Sequence, residues 1–225
     1  MNITRHPLLA HPAARKALVI IDRLYQNQPE LKELLLHHSL QVARAALAVA
    51  TRHSELSLNT DTLLEGALLH DVGIIFTDAA GIKCYGTAPY LLHGVIGAAL
   101  LRAEHLDRSA RIAARHTGTG LSNQQVADEL QLYFNGCHRT DPTLCSLLQN
   151  EETLPERAFC PETEEEQVIC YVDKYYSKSK PEREKTPEQV IASLQKFGPT
   201  VVDTFTRWYE KYGWQPLSSQ NLSES

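Results

Sequence analysis

The chain lacks the features that mark several large protein classes. No apolar run approaches the roughly 18 to 20 residues needed to cross a bilayer. The first residues, Met-Asn-Ile-Thr-Arg-His-Pro, carry no charged start, apolar stretch and small-residue cleavage site of a secretory signal. A cytoplasmic protein without a membrane partner is therefore expected. There is no basic block: Lys174, Lys178 and Lys180 are scattered, and 22 Lys and Arg against 27 Asp and Glu leave a net charge of −5, which disfavours a nucleic acid polymer as partner. Gly-rich phosphate loops of P-loop or dinucleotide type are missing. Cysteines are few and irregularly spaced, and their odd number, 5, predicts free thiols in a reducing compartment. An apolar fraction of 43% over 225 residues excludes collagen-like, fibrous and disordered classes, and predicts one domain over residues 1–225.

What is present is helical periodicity, with no convincing period-two alternation outside short fragments, so the fold class is all-α. Leu31, Leu34, Leu35, His38, Val42, Ala45, Ala46 and Val49 form one stripe of a helix expected from about 29 to 53. A second helix starts near Asn59 to Asp61 and stops around Gly73, with His70 and Asp71 in its last turn. The stretch between Val72 and Pro89 reads as a long functional loop, with Pro89 at a first helical position. Helices follow behind His93 and Asp107, the latter running to His116 with Gly118 and Gly120 ending it. Ser122 with Gln125, Thr163 with Glu166 and Thr186 with Gln189 have the spacing of capping boxes. Residues 135–161 read as an irregular insertion, and 181–225 as C-terminal helices and a frayed tail.

His38, His70, His93 and His116 all fall on, or at the end of, apolar helical faces, where four imidazoles need polar partners. Asp71 and Asp173 add carboxylates. A divalent cation satisfies all six residues at once, because it neutralises the carboxylates and accepts the imidazole lone pairs. Neighbouring helical residues diverge by about 100°, so His70 and Asp71 share one point only at a helix end. There they either ligate one metal together or let the two Asp71 oxygens bridge two metals. Nitrogen and oxygen donors without a thiolate admit Mn, Fe, Co, Ni or Zn. The spacing of Cys137, His138 and Cys145 lacks the second half of a zinc site, and His37 is expected to face solvent.

The order His38…His70-Asp71…Asp173 sits in recognisable phrases. They are His38-Ser39 followed by Val42-Ala43, then Leu68-Leu69-His70-Asp71-Val72-Gly73, then Ile169-Cys170-Tyr171-Val172-Asp173-Lys174. This pattern resembles the HD superfamily of metal-dependent phosphohydrolases over about residues 30–180. With His93 in His93-Gly94-Val95-Ile96-Gly97-Ala98 and His116 in Ala114-Arg115-His116-Thr117-Gly118, it is similar to six-ligand members, among them bacterial HD-type diadenosine tetraphosphate hydrolases and HDIG-type predicted hydrolases. Val72 replaces the usual isoleucine of the HDIG phrase. The cyclic-dinucleotide branch is disfavoured, since Thr117-Gly118-Thr119-Gly120 follows His116 where that branch has its GYP phrase.

The resemblance implies a helical bundle with the metal site in its core. It implies one metal on His38, His70, Asp71 and Asp173, and a second on the other Asp71 oxygen, His93 and His116. Asp71 and His70 then serve catalysis as ligands of the metal that activates a water. Two metals per chain and hydrolysis of a phosphate ester or anhydride in a small phosphorylated substrate, such as a nucleotide, follow from it. Lys83, Arg115, Lys174 and Lys178, near ligands in sequence, are the cations expected to meet substrate phosphate. Two other readings are a non-catalytic metal-containing nucleotide sensor or scaffold, and a mononuclear nucleotidase.

Overall fold

The computed structural model describes residues 6–119, 123–148, 159–180 and 182–217. Prolines punctuate the amino-terminal helices. Pro7, Pro12 and Pro29 open α1 (Pro7–Ala10), α2 (Pro12–Leu24) and α3 (Pro29–Arg52), because the first turn needs no N–H from them. At 24 residues α3 is the long spine of the bundle, about 36 Å from the rise per residue. Asn59 caps α4 (Thr60–Leu69) by accepting the Thr62 N–H at 2.8 Å, and α4 packs against α2, α3 and, further along the chain, the helices of 107–115 and 164–173.

After α4 the chain makes a 3-10 turn at Val72–Phe76 and a small sheet of β1 (Thr77–Ala79), β2 (Cys84–Tyr85) and β3 (Ala88–Pro89). Its order is β2-β1-β3, with β1 antiparallel to β2 and parallel to β3. This corrects two expectations: the loop carries strands, and Pro89 ends β3 instead of opening a helix. Two- and three-residue strands are too short for a period-two pattern to register. A 3-10 turn at Tyr90–Leu92 then leads into α5 (His93–Ala103), which packs against α6 (Asp107–Arg115).

Residues 135–148, expected to be irregular, are helical: α7 (Asn123–Thr140) and α8 (Pro142–Leu148) meet at Asp141, whose Oδ1 accepts the Leu144 N–H at 2.9 Å. Gly136 and Pro142 suggested irregularity, but Pro142 is the first residue of α8, where proline is tolerated. Residues 149–158, Gly120 and the Ser122 half of the first capping box lie outside the described residues, as do the side chains of Cys137 and His138. Cys84, Cys160 and Cys170 are free, whereas Cys145 is disulfide-bonded, which corrects the expectation of thiols throughout. An odd count leaves one cysteine over but does not forbid a pair.

Both downstream capping boxes form, opening α9 (Glu164–Asp173) and α10 (Pro187–Leu194), and α11 (Pro199–Tyr212) follows the break at Gly198. Glu166, the reciprocal residue of the first box, is buried and ties α9 to α6 through Arg111 at 2.8 Å and Arg115 at 2.9 Å. The core is continuous from Ile21 and Leu35 through Leu64, Ile96 and Ile112 to Ile169 and Phe205. Among the described residues, no helix is long and apolar enough to cross a membrane.

Candidate metal centre

Four helix ends and the middle of α3 converge on one buried nest. His38 projects from α3, His70 follows the last residue of α4, His93 opens α5, His116 follows α6, and Asp173 ends α9. Asp71 stands between α4 and the next 3-10 turn at φ −105°, ψ 9°, so the helix has ended before the second of the two neighbouring side chains is placed. That break lets His70 and Asp71 face the same point. Three of the converging termini, those of α4, α6 and α9, are C-terminal, and each brings a partial negative charge of about half a unit that favours a cation.

Close backbone approach holds these ends together. A Cβ on Gly73 would run into the His93 carbonyl, and one on Gly94 would lie 2.6 Å from the Ala113 carbonyl and 3.4 Å from the His116 ring. The two glycines therefore allow α5 to seat His93 beside both Asp71 and His116. Tyr25 anchors the turn from below, its hydroxyl donating to the Val72 carbonyl at 2.9 Å.

The imidazoles are oriented by their outer nitrogens. His70, His93 and His116 donate Nδ1–H to the carbonyls of Ala67, Tyr90 and Ala113 at 2.7, 2.6 and 2.7 Å, which aims each Nε2 at the nest. His38 has no such Nδ1 partner. Its Nε2 lies 3.1 Å from Asp71 Oδ2, 3.0 Å from Asp173 Oδ1 and 3.3 Å from His70 Nε2. His70 Nε2 is 3.0 Å from the same Asp71 Oδ2. On the other side, Asp71 Oδ1 faces His93 Nε2 at 3.3 Å and His116 Nε2 at 3.4 Å, and those two nitrogens are 3.0 Å apart. Asp71 thus divides its oxygens between two groups of donors.

Acceptors pressed against acceptors are unstable without positive charge between them. Both Asp71 oxygens are fully buried and accept no aligned hydrogen bond. Burial opposes protonation of His70, but the charge of Asp71 and hydrogen bonding to Asp173 raise its pKa to about 9. Burial lowers His116 to about 3 against the pull of Asp71, so this ring is neutral and its Nε2 is free to ligate. Burial disfavours the Asp71 carboxylate as well, yet His70 and Lys178 hold its carboxyl well below the usual range. Four imidazoles around a shared carboxylate offer donors that fit divalent cations in both halves, His38, His70, Asp71 and Asp173 in one and Asp71, His93 and His116 in the other.

The four expected substrate cations separate in space. Lys178 reaches the nest, with Nζ 2.5 Å from Asp71 Oδ2, and also lines an adjoining cleft of about 840 Å³. Lys174 is half-buried on the Asp173 side of the nest. Its Nζ donates to the His116 carbonyl at 2.9 Å and to Asp173 Oδ2 at 3.1 Å, so it fixes the carboxylate that faces His38. Arg115 turns the other way, into ion pairs with Glu162 and Glu166 at 2.9 Å each. Lys83 pairs with Glu30 at 2.6 Å on the outer wall of the cleft. Lys83 thus shares the cleft with Lys178, whereas Arg115, although it adjoins His116 in the chain, points to α9. Sequence reasoning missed Tyr90, whose ring stacks on His93 with centroids 4.5 Å apart, and placed His37 in solvent where it lines the cleft. Neither has a local motif to signal it.

The decisive comparison is with the HD domain family, whose model matches residues 35–194 and so takes in His38, His70, Asp71, His93, His116 and Asp173. The chain belongs to the HD domain family. Membership places it in a superfamily of metal-dependent hydrolases, in keeping with the buried His and Asp groups. Among curated proteins, this HD domain chain is similar to the tRNA (cytidine(56)-2'-O)-methyltransferase of Thermoplasma volcanium, 27% identical over 180 residues, which are 79% of this chain and 40% of that protein. The protein of the same name from Picrophilus torridus is 25% identical over 146 residues, 64% of this chain and 32% of that one. The chain therefore spans less than half the length of these curated relatives. No solved structure matches it.

Proposed function

We propose that this HD domain protein is a dinuclear metal-dependent phosphohydrolase acting on a small phosphorylated substrate, such as a nucleotide. One observation carries the reading: the buried Asp71 offers Oδ2 to His38 and His70 and Oδ1 to His93 and His116. A single structural cation needs no such division of oxygens. The chemistry that bound divalent metals supply is activation of a water for attack on phosphorus and neutralisation of charge building on the phosphoryl oxygens.

The chain supplies the rest. Asp71 and Asp173 hold charge in the nest, and the three Nδ1–H bonds to backbone carbonyls keep the imidazoles in the tautomer that can ligate. Lys174 holds Asp173 from behind. Lys178, at the junction of nest and cleft, is placed to bind a phosphoryl oxygen once Asp71 is otherwise neutralised. The cleft has the size of an ordinary small-molecule site. Its mixed lining of Glu33, His37, Gln41, Arg44 and Lys178 offers donors and acceptors for the remainder of such a substrate. The methyltransferase activity named for the longer relatives has no part in this proposal.

The test is a phosphate-release screen over nucleotides, dinucleoside polyphosphates and simple phosphomonoesters, with Mn, Fe, Co, Ni or Zn supplied. Turnover is expected, and Asp71→Ala is expected to lose hydrolysis and metal together. Hydrolysis that survives in Asp71→Ala with unchanged metal content would refute the site.

A further inference from the structure

A second hollow lies against the short segment 177–179. It has a volume of about 330 Å³ and is lined by Ser177, Ser179, Lys180, Arg183, Lys185 and Gln189. Three cations, two hydroxyls and an amide thus face one space with no carboxylate in its lining, in a chain of net charge −5. Cations elsewhere in the chain are neutralised in place: Lys83 by Glu30, Arg111 and Arg115 by Glu162 and Glu166, and Lys211 by Glu164. Among the described residues, Lys180 and Arg183 make no ion pair, and Lys185 donates only to the Lys174 carbonyl, at 3.2 Å. Unpaired like charges held together favour an anion that draws them in.

The position of the hollow relates it to the metal centre. Ser177 and Ser179 also line a separate cavity that Lys178 and Tyr90 share, and these two residues touch Asp71 and His93. The segment 177–179 is therefore a common wall, with Lys178 turned to the nest and the basic hollow alongside. Burial lowers the pKa of Lys185, and the ammonium groups of Lys174 and Lys178 act in the same direction against the charge of Asp173.

We propose that Lys180, Arg183 and Lys185 form a second anion subsite, which takes a distal phosphate of a substrate whose other phosphate lies at the metal nest. The substrate class is then compounds with two or more phosphate groups, in preference to monophosphates. This rests on the phosphohydrolase reading above, with the subsite itself resting on the lining of the hollow.

Calorimetric titration of the full chain separates the two. Metal-free protein titrated with inorganic phosphate is expected to show one binding event, weakened at least tenfold in Arg183→Gln and in Lys185→Gln, with Arg183→Lys intermediate. Metal-loaded protein is expected to bind tripolyphosphate about tenfold more tightly than orthophosphate, and Arg183→Gln to erase that advantage while leaving metal content unchanged. Absence of phosphate binding to the metal-free chain, or indifference to both Gln variants, overturns the subsite. Phosphate binding by the metal-free chain, combined with no hydrolysis of any phosphorylated compound by the loaded protein, overturns the substrate role and the phosphohydrolase reading together, leaving only an anion site.

Discussion

Gly94 is a weak point of the metal centre, although it is no ligand. An added Cβ would sit 2.6 Å from the Ala113 carbonyl, and relief to an ordinary carbon–oxygen separation of about 3.3 Å requires α5 and α6 to part by roughly 0.7 Å. His93 is the residue before Gly94, and His116 follows the α6 turn that holds Ala113. Parting the helices therefore spreads the pair that faces Asp71 Oδ1, while His38, His70 and Asp173 on the other side keep their places. Functional constellations tolerate displacements of about 0.5 Å, so the second donor group is lost before the first. Gly94→Ala is expected to cost about 1–3 kcal/mol of stability as an overpacking substitution, and to weaken the second metal by about 10–100-fold. Gly81→Ala is the control, since a Cβ there meets nothing within 4 Å, and it is expected to stay within about 0.5 kcal/mol of the parent. Urea denaturation gives the first quantity and metal titration with elemental analysis the second. A Gly94→Ala protein with parental stability and two metals at parental affinity would refute the packing argument.

Two further substitutions test the electrostatics. Glu166 is buried against Arg111 and Arg115, and these partners and the Glu162 backbone N–H overcome the burial cost to hold its pKa below the usual carboxylate value. A depressed folded-state pKa contributes stability above the unfolded value near 4.5 that is lost as pH falls through the folded one. Glu166→Gln is therefore expected to cost about 2–3 kcal/mol at pH 7, below the range for a wholly buried pair because the Arg111 side chain is 43% exposed, and the gap to the parent should close below pH 4 in acid denaturation curves. A gap that persists unchanged at pH 3 would contradict it. Lys178→Met leaves the buried Asp71 carboxylate short of its 2.5 Å counter-charge only when no metal neutralises it, so the difference in Tm between metal-free and metal-loaded protein should widen. A narrower difference would contradict it.

Much of the scaffold is legible in the chain because it carries its own punctuation. Thr163 with Glu166 and Thr186 with Gln189 mark helix starts through local hydrogen bonds, and Pro29 opens α3 for reasons confined to one residue. The gathering of His38, His70, Asp71, His93, His116 and Asp173 is legible for a different reason: polar side chains on apolar faces need common partners, and one nest supplies them. Helix-adjacent cations are not legible in this way. Arg115 and Lys174 each adjoin a ligand, yet one meets Glu162 and Glu166 and the other the His116 carbonyl, a choice made by the packing of α6 on α9. The helices across 135–148 were hidden by Gly136 and Pro142, which read as breakers until the position of Pro142 at a helix start is known. Gly94 looks like an ordinary helical residue, and its role depends on a carbonyl from α6.

The central claim is that Asp71 bridges two divalent cations, and metal content per chain tests it most directly. Protein purified without chelator, supplied with one transition metal at a time and analysed by plasma mass spectrometry after desalting, is expected to hold close to two metals per chain. His93→Ala is expected to fall towards one. A parent protein that retains no transition metal under any supplementation would contradict the account and reduce the six side chains to a polar cluster in the core.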